Sequence, residues 1–501
     1  MAPDTTAPPD VEPLPEAAPA DEDPGFNIWA VVLPLLLLLL AAVIRFYGLG
    51  YPDRIYFDET YYAPQGREMI TRGVEEGFAV HPPLGKWLIG AGISLFGYTT
   101  FGFRAASAAA GSIMVLATYF VGLQLFRRRG LAALGALFVA LDGLALTMSR
   151  ISMLDIFLAM FVALGVWFLL LDRQSQWRRV PTDPFSQRVV LDERGIPEEP
   201  FEDRPLPRLG HVWRWAAGIT LGLALATKWS ALTVIGGAGL FVLISEALWR
   251  RRLTGSIWTE WWRPVGSAAL TLLLVPLLVY LVSYSGWFLN YEDTRLGLKR
   301  CAEGTCDLTA PQIAGEWLGE QREIARFHFG LDAKHPYRSL PQTWPILGRP
   351  VAYYYESCSD TKLAKGECVT AEGKVEEILG VGNPAIWWMA LAAIPILLWF
   401  GVRRRDWRAF AILGFYAVQY LPWLIVPRPN FLFYLTPAVP FICLTLVYAT
   451  WRLGEKWWGR WVPVVVVTVV VSAFLFWFPI WMAMEIPQNL WRQRMWFSSW
   501  I

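Results

Sequence analysis

Two adjacent carboxylates, Asp58 and Glu59, stand among aromatics in RIYFDETYYAPQGREMI, residues 54–70, shortly after the first long apolar run of the chain. A carboxylate held against a hydroxyl can take its proton as a new bond forms, so the pair is a candidate for general-base chemistry. A helix start explains the same residues, because acidic side chains favour the first turn. Further along, HPPLGKWLIG carries His81 and Lys86 at a Pro-Pro turn. Asp142 in LFVALDGLALTMSR and Asp155 in RISMLDIFLAMF lie near the ends of apolar runs, at a depth where ionisable groups normally face a cavity or a partner. Arg104 in GFRAAS, Arg150, and Arg428 in VPRPNF belong to the same layer. Together these cations suit a phosphate arriving from the lipid phase. Taken singly, each arginine could instead snorkel to lipid headgroups, and the two aspartates could form structural pairs with Arg150 or Lys228.

The elements that must position these groups are set by solvent. The chain is 55% hydrophobic and 17% charged, with repeated apolar runs long enough for a bilayer. It reads as an all-α polytopic membrane protein. Its net charge of +2 suggests no nucleic-acid partner. Residues 1–26 are Pro, Ala and acid, a composition that cannot support a packed core and reads as a cytoplasmic disordered tail. The run at 28–48 has no basic flank before it and no small-residue cleavage site after it, so it reads as a retained span. Further runs at 101–124, 130–148, 151–171, 213–227, 230–248, 264–287, 384–402, 408–426, 431–450 and 461–482 bring the expectation to about 11 transmembrane helices.

With the N-terminus in the cytoplasm, Arg127–Arg129, Arg250–Arg252, Arg403–Arg405 and the segment from Arg452 to Arg460 all fall on the inner side, as the positive-inside rule requires. Residues 49–100, 288–383 and 483–501 are then extracytoplasmic, and the hydrophilic 172–212 connection is cytoplasmic. The domain plan is an N-terminal catalytic module at 27–287, an outer loop at 288–383, C-terminal helices at 384–482 and an outer tail. In the first outer loop two helices are expected to lie along the surface, joined by the His81–Lys86 turn.

Cys301, Cys306, Cys358 and Cys368 share the second outer loop, where an even count favours disulfides. Four cysteines allow three pairings, and short local closure favours Cys301–Cys306 and Cys358–Cys368. No histidine stands beside either pair at metal-finger spacing, so no metal site is read there. Most of the 28 Trp fall at span ends, where interfacial belts place them.

FDETYYA, HPPLGKWLIG, FRAASAAAG, SRISMLDIFL and RPNFLFYLTPAVP, in this order on a multispanning chain, resemble the protein O-mannosyltransferase family, in particular its actinobacterial branch. The resemblance runs from about residue 28 to the end. It implies a GT-C glycosyltransferase fold in the plasma membrane, a polyprenyl phosphate mannose donor used on the outer face, and Ser or Thr acceptors on exported proteins. It also implies Asp58 as the catalytic base, Glu59 as its acidic neighbour and Arg104 near the donor phosphate. His81 and Lys86 match the HPPLGK turn, where packing is as good an account as donor contact, and Asp155 matches LDIFL. Arg150 and Arg428 complete the expected phosphate set.

One base without a second carboxylate nucleophile implies single displacement with inversion. Arginines can neutralise the leaving phosphate, so a divalent metal is not obligatory. A β-trefoil domain, present in eukaryotic relatives, does not fit within 288–383. Two rivals are carried forward: a transferase of the same fold acting on a lipid or polysaccharide, and a transporter, which should show internal repeats and broken midplane helices. A link to the protein-export channel follows from the resemblance alone, because unfolded acceptors emerge there.

Overall fold

The structure, a computed structural model, describes residues 27–177, 211–332, 334–358, 370–371, 373–455 and 457–501. The expected tail over 1–26, most of the 172–212 connection and Cys368 lie outside the described residues. In chain order the first half runs α1 (Trp29–Phe46), α2 (Glu59–Arg72), α3 (Leu84–Phe96), α4 (Thr100–Phe126), α5 (Arg129–Ala140), α6 (Gly143–Ser149), α7 (Leu154–Trp177), α8 (Val212–Leu225) and α9 (Ala231–Thr254). Helices Trp262–Ser283, Pro384–Arg403, Leu432–Gly454 and Gly459–Trp481 follow.

The apolar runs read from the sequence are helical over most of their length, but not all of the about 11 expected spans form helices long enough to cross a membrane. Among the described residues eight helices are long and apolar enough to cross a membrane, nine if the α5–α6 pair, bent by 62°, is one span. The difference is length. Helices α8 and Trp407–Tyr420 have 14 residues each, about 21 Å at ~1.5 Å per residue against a hydrocarbon core of ~30 Å.

Local signals explain the boundaries around the first outer loop. Helix α2 stops at Gly73, whose φ of +78° few other residues adopt. Thr99 caps α4 by accepting the Gly102 N–H at 3.0 Å. Helices α2 and α3 approach so closely that a Cβ on Gly90 would lie 2.5 Å from the Gly66 carbonyl oxygen. These are two helices where the sequence predicts two; α3 also packs on α4.

Several buried charges are paired, as a low-dielectric interior favours. Arg214 on α8 donates to Asp172 on α7 at 2.8 Å and to Glu246 on α9 at 2.5 Å, and Arg250 adds a bond to Glu246 at 2.9 Å. This network ties three helices together at one end of the bundle. The Arg-rich ends gather there too: Arg452 pairs with Asp406 at 2.5 Å, Arg408 donates to the Leu125 carbonyl at 2.8 Å, and Arg173 stacks 3.6 Å from the Trp407 ring.

The opposite end holds the long loops and a feature the all-α reading missed. Strands β1 (Val351–Ser357), β2 (Lys374–Gly380) and β3 (Ile486–Pro487) form a small antiparallel sheet in the order β1-β2-β3. It joins the second outer loop to the C-terminal tail. Trp491 reinforces the junction by donating to Glu377 at 2.5 Å. In the same loop, Cys358 is disulfide-bonded. The expected Cys301–Cys306 bridge is not closed: both are free thiols in hydrogen-bonding contact, with the sulfurs farther apart than the ~2.05 Å of a disulfide bond.

Candidate active site

Asp58 stands at the first turn of α2, yet its side chain makes no capping hydrogen bond. A negative charge suits its place at the helix N-terminus, but a capping hydrogen bond does not account for it. Phe57, directly before it, has a φ of +52°, a conformation that is strained for an aromatic residue and persists only where surroundings impose it. The surroundings do so here. The Phe57 ring lies 4.9 Å from Tyr353 and 5.9 Å from Phe433, both edge-on, and 6.4 Å from His335. Packing of Phe57 thus directs the following carboxylate. Burial pushes the Asp58 carboxyl up to about 6, with Lys228 pulling down and Asp155 pushing up.

Glu59, one residue on, points the other way and is fully buried. Its carboxylate accepts from Arg104 Nε at 2.8 Å and Nη2 at 2.9 Å, and from the Ser152 N–H at 3.0 Å. Arg104 also donates to the carbonyls of Leu49, Pro52 and Arg54 at 3.3, 3.0 and 2.9 Å. All five guanidinium N–H groups are engaged. Arg104 is therefore a clamp that holds the 49–54 segment and the start of α2 onto α4, with no donor left for a phosphate.

Three other expected site residues are likewise committed elsewhere. Arg150 donates to the carbonyls of Arg45, Tyr47 and Gly48 at 2.8, 2.7 and 2.9 Å, closing the C-terminus of α1. Lys86 is buried against Glu75. Asp142 caps α6 at Ala145 (2.9 Å) and accepts from the Asn383 N–H (3.0 Å) and Trp387 Nε1 (2.8 Å), fixing the joint between α6 and helix Pro384–Arg403.

Of the remaining candidates, His81 and Arg428 line a cavity of about 260 Å³, and Asp58 and Asp155 stand beside it, within the electrostatic reach of its Lys228. Asp155 is held at its edge by Lys228, whose ammonium donates to both carboxylate oxygens at 2.8 and 2.9 Å. Lys228, His81, His328, Arg428, Gln419 and Tyr434 line the polar part. Leu158, Val162, Leu232, Val234, Trp423 and Val426 line the rest, so one end suits an anion and the other a hydrocarbon. Arg428 donates to His328 Nδ1 at 2.5 Å and to the Tyr434 hydroxyl at 2.6 Å, while its buried Nε has no partner. His81 is buried with Nδ1 unpartnered. Burial first, then the charges of Lys228, His328, Lys86 and Arg428, hold its pKa far down, so the ring is neutral.

Sequence reasoning foresaw Asp58, His81, Asp155 and Arg428 in this neighbourhood. It missed His328 and Tyr434 and saw Lys228 only as a structural partner. A signal existed for His328: the chain has four histidines, and this one lies in the long 288–383 connection. Among the described residues no group of three or more His, Cys, Asp or Glu could hold a metal ion.

Comparison with known proteins bears on this geometry. Residues 35–182 and 199–290 match the family model described as "Dolichyl-phosphate-mannose-protein mannosyltransferase". Residues 314–500 match the "C-terminal four TMM region of protein-O-mannosyltransferase". A polyprenol-phosphate-mannose–protein mannosyltransferase of Mycolicibacterium smegmatis is 32% identical, over 98% of this chain and 96% of that one. A Corynebacterium glutamicum protein of the same name is 30% identical, over 94% and 93%. Among solved structures, the Saccharomyces cerevisiae protein O-mannosyltransferase Pmt1-Pmt2 complex bound to the sugar donor superposes with a TM-score of 0.72 at 15% identity, covering 94% of this chain and 92% of that one. An Archaeoglobus fulgidus oligosaccharyltransferase gives a TM-score of 0.52 at 12% identity, over 90% and 52%. The fold is of the GT-C glycosyltransferase type.

Proposed function

The chain belongs to the protein O-mannosyltransferase family, and we propose that it carries out that family's transfer with Asp58 as the base. It is a multi-pass membrane enzyme that moves mannose from a polyprenol phosphate carrier to a protein. The single observation that carries the residue assignment is the pairing of a partly exposed carboxyl at about 6 with an adjacent half-cationic, half-apolar cavity.

In this reading the donor phosphate meets Lys228 and the unused donors of Arg428, and the first isoprene units lie along the Leu158, Val162, Leu232 and Val234 side. His81 Nδ1 offers a further polar contact. The acceptor hydroxyl oxygen attacks the anomeric carbon while its proton passes to Asp58. The bond from that carbon to the phosphate oxygen breaks, and its electron pair leaves with the lipid phosphate. The anomeric configuration inverts because attack and departure occur on opposite faces. Lys228 and Arg428 stabilise the charge that grows on the departing phosphate, so a divalent metal is not obligatory. Glu59, Arg104, Arg150 and Lys86 are positioning residues on this view.

The Arg-rich end of the bundle faces the cytoplasm and the loop-rich end, with the site, faces outwards across the plasma membrane. Acceptors are then Ser and Thr hydroxyls of exported chains, received near the protein-export channel. The test is transfer from polyprenyl phosphate mannose to a Ser/Thr-rich peptide by purified protein. Asp58→Asn should lower turnover by at least roughly 100-fold, the scale of a positioned general base, with donor binding retained. Sustained peptide mannosylation by that variant would remove Asp58 from the mechanism.

A further inference from the structure

His328 lies on helix Ala310–Gly330 in the second outer loop, far in sequence from the other polar groups of the cavity. Its ring nitrogens are both partnered. Nε2 lies 2.9 Å from the Val80 carbonyl, immediately before His81, and Nδ1 lies 2.5 Å from Arg428 Nη1. A carbonyl can only accept and a guanidinium can only donate, so Nε2 carries the proton and Nδ1 is the acceptor. The ring is therefore neutral, in one tautomer. We propose that His328 is a positioning residue for the donor phosphate, acting through Arg428 by holding the guanidinium with its unpartnered Nε towards the cavity.

The ring itself has little freedom. His81 lies 5.2 Å from it and Trp229 lies 5.9 Å away, centroid to centroid. Its helix is fixed upstream by Trp317, packed on Tyr280, Tyr284 and Phe288, and by the Tyr280 hydroxyl, which donates to Gln321 at 2.6 Å. Phe327 packs on Phe78 at 5.7 Å. Burial first, then the Arg428 charge, lower the His328 pKa to about 4, which keeps Nδ1 available at neutral pH. Tyr434 holds the second guanidinium nitrogen at 2.6 Å. Arg428 is thus gripped from two sides and open on a third, whereas Arg104 is closed on all of its donors.

The inference rests on the reading of Arg428 as a phosphate contact, and the experiment separates the two. Steady-state transfer is measured with polyprenyl phosphate mannose as the varied substrate, for wild type, His328→Ala, Arg428→Ala and the double variant. Losing a hydrogen bond to a charged group should raise the donor KM about tenfold in His328→Ala, with kcat within roughly threefold. In the Arg428→Ala background His328→Ala should add less than about twofold, because the two changes remove one interaction. An additive double variant would overturn the proposal and assign His328 a separate structural role. If Arg428→Ala leaves the donor KM unchanged, the phosphate reading itself fails, and the His328 proposal with it. Should His328→Ala not fold, His328→Asn and His328→Gln decide. Asn keeps an acceptor near the Nδ1 position and Gln a donor near Nε2, so Asn should approach the wild-type KM and Gln should not. An Asn variant no better than Gln would also overturn the proposal.

Discussion

At Asp58 and Glu59 two neighbouring carboxylates of the same charge have opposite fates, and the cause is direction. Asp58 faces the charges of Lys228 and Asp155, and burial lifts its carboxyl to about 6. A raised pKa makes a stronger base, useful only while ionised. Turnover should therefore rise with pH through about 6 and level off above it; a kcat profile flat from pH 5 to 7 would contradict the assignment. Glu59 is closed onto Arg104 with both fully buried. Arg104→Ala should strand that carboxylate at a cost of about 3–5 kcal/mol, visible as a fall in the Tm of the detergent-solubilised protein. The donor KM of the surviving folded fraction should stay within about twofold, since Arg104 has no free donor to offer. The adjacency of the two acids was legible in the sequence. Which of them is turned towards Lys228 and Asp155 was not, because that turns on the Phe57 backbone, which is held by aromatics from β1 and from the segment before Leu435. With Lys228 and Arg428 supplying the positive charge, transfer should proceed in excess EDTA at more than roughly half the untreated rate, measured as mannosyl-peptide formed.

At the scale of the element, the 49–100 connection behaves as a built part. Helices α2 and α3 touch through glycines, and a side chain on Gly90 would meet the Gly66 backbone. Gly90→Val should destabilise by about 1–3 kcal/mol through forced separation of the pair. Thermal unfolding checks the stability change, and activity should fall with it because Asp58 and His81 flank α2. Hydropathy located these helices and the apolar runs well, since both depend on composition along the chain. It did not foresee how short α8 and Trp407–Tyr420 are, each ending after 14 residues. The apolar residues beyond Tyr420 turn into a 3₁₀ segment, Leu421–Leu424, and Pro422, Trp423 and Val426 then line the cavity. The sheet escaped the sequence reading because β3 is two residues long and pairs with β2 from a distant segment.

For the whole molecule, charge is sorted by end. The arginine clusters collect around Trp407, Trp451 and Asp406, while the sheet, the second outer loop and the tail occupy the other end with the cavity near them. With the arginine end inside, a single-cysteine Tyr61→Cys protein should react with a membrane-impermeant maleimide on intact cells. Arg251→Cys should react only after permeabilisation. Both native residues are exposed, so the reverse pattern would invert the proposed orientation.

Solvent, helical content and the family were determined by the sequence itself, because apolar run length, arginine placement and motifs such as HPPLGK are properties of consecutive residues. The division of labour among the charged residues was decided only by tertiary structure. Arg104, Arg150 and Arg428 look alike along the chain, yet the first two have their guanidinium groups turned onto backbone carbonyls and a buried carboxylate, and the third keeps a buried Nε without a partner. What distinguishes them is the number of acceptors that distant segments bring within hydrogen-bonding reach, and that number exists only once those segments have packed.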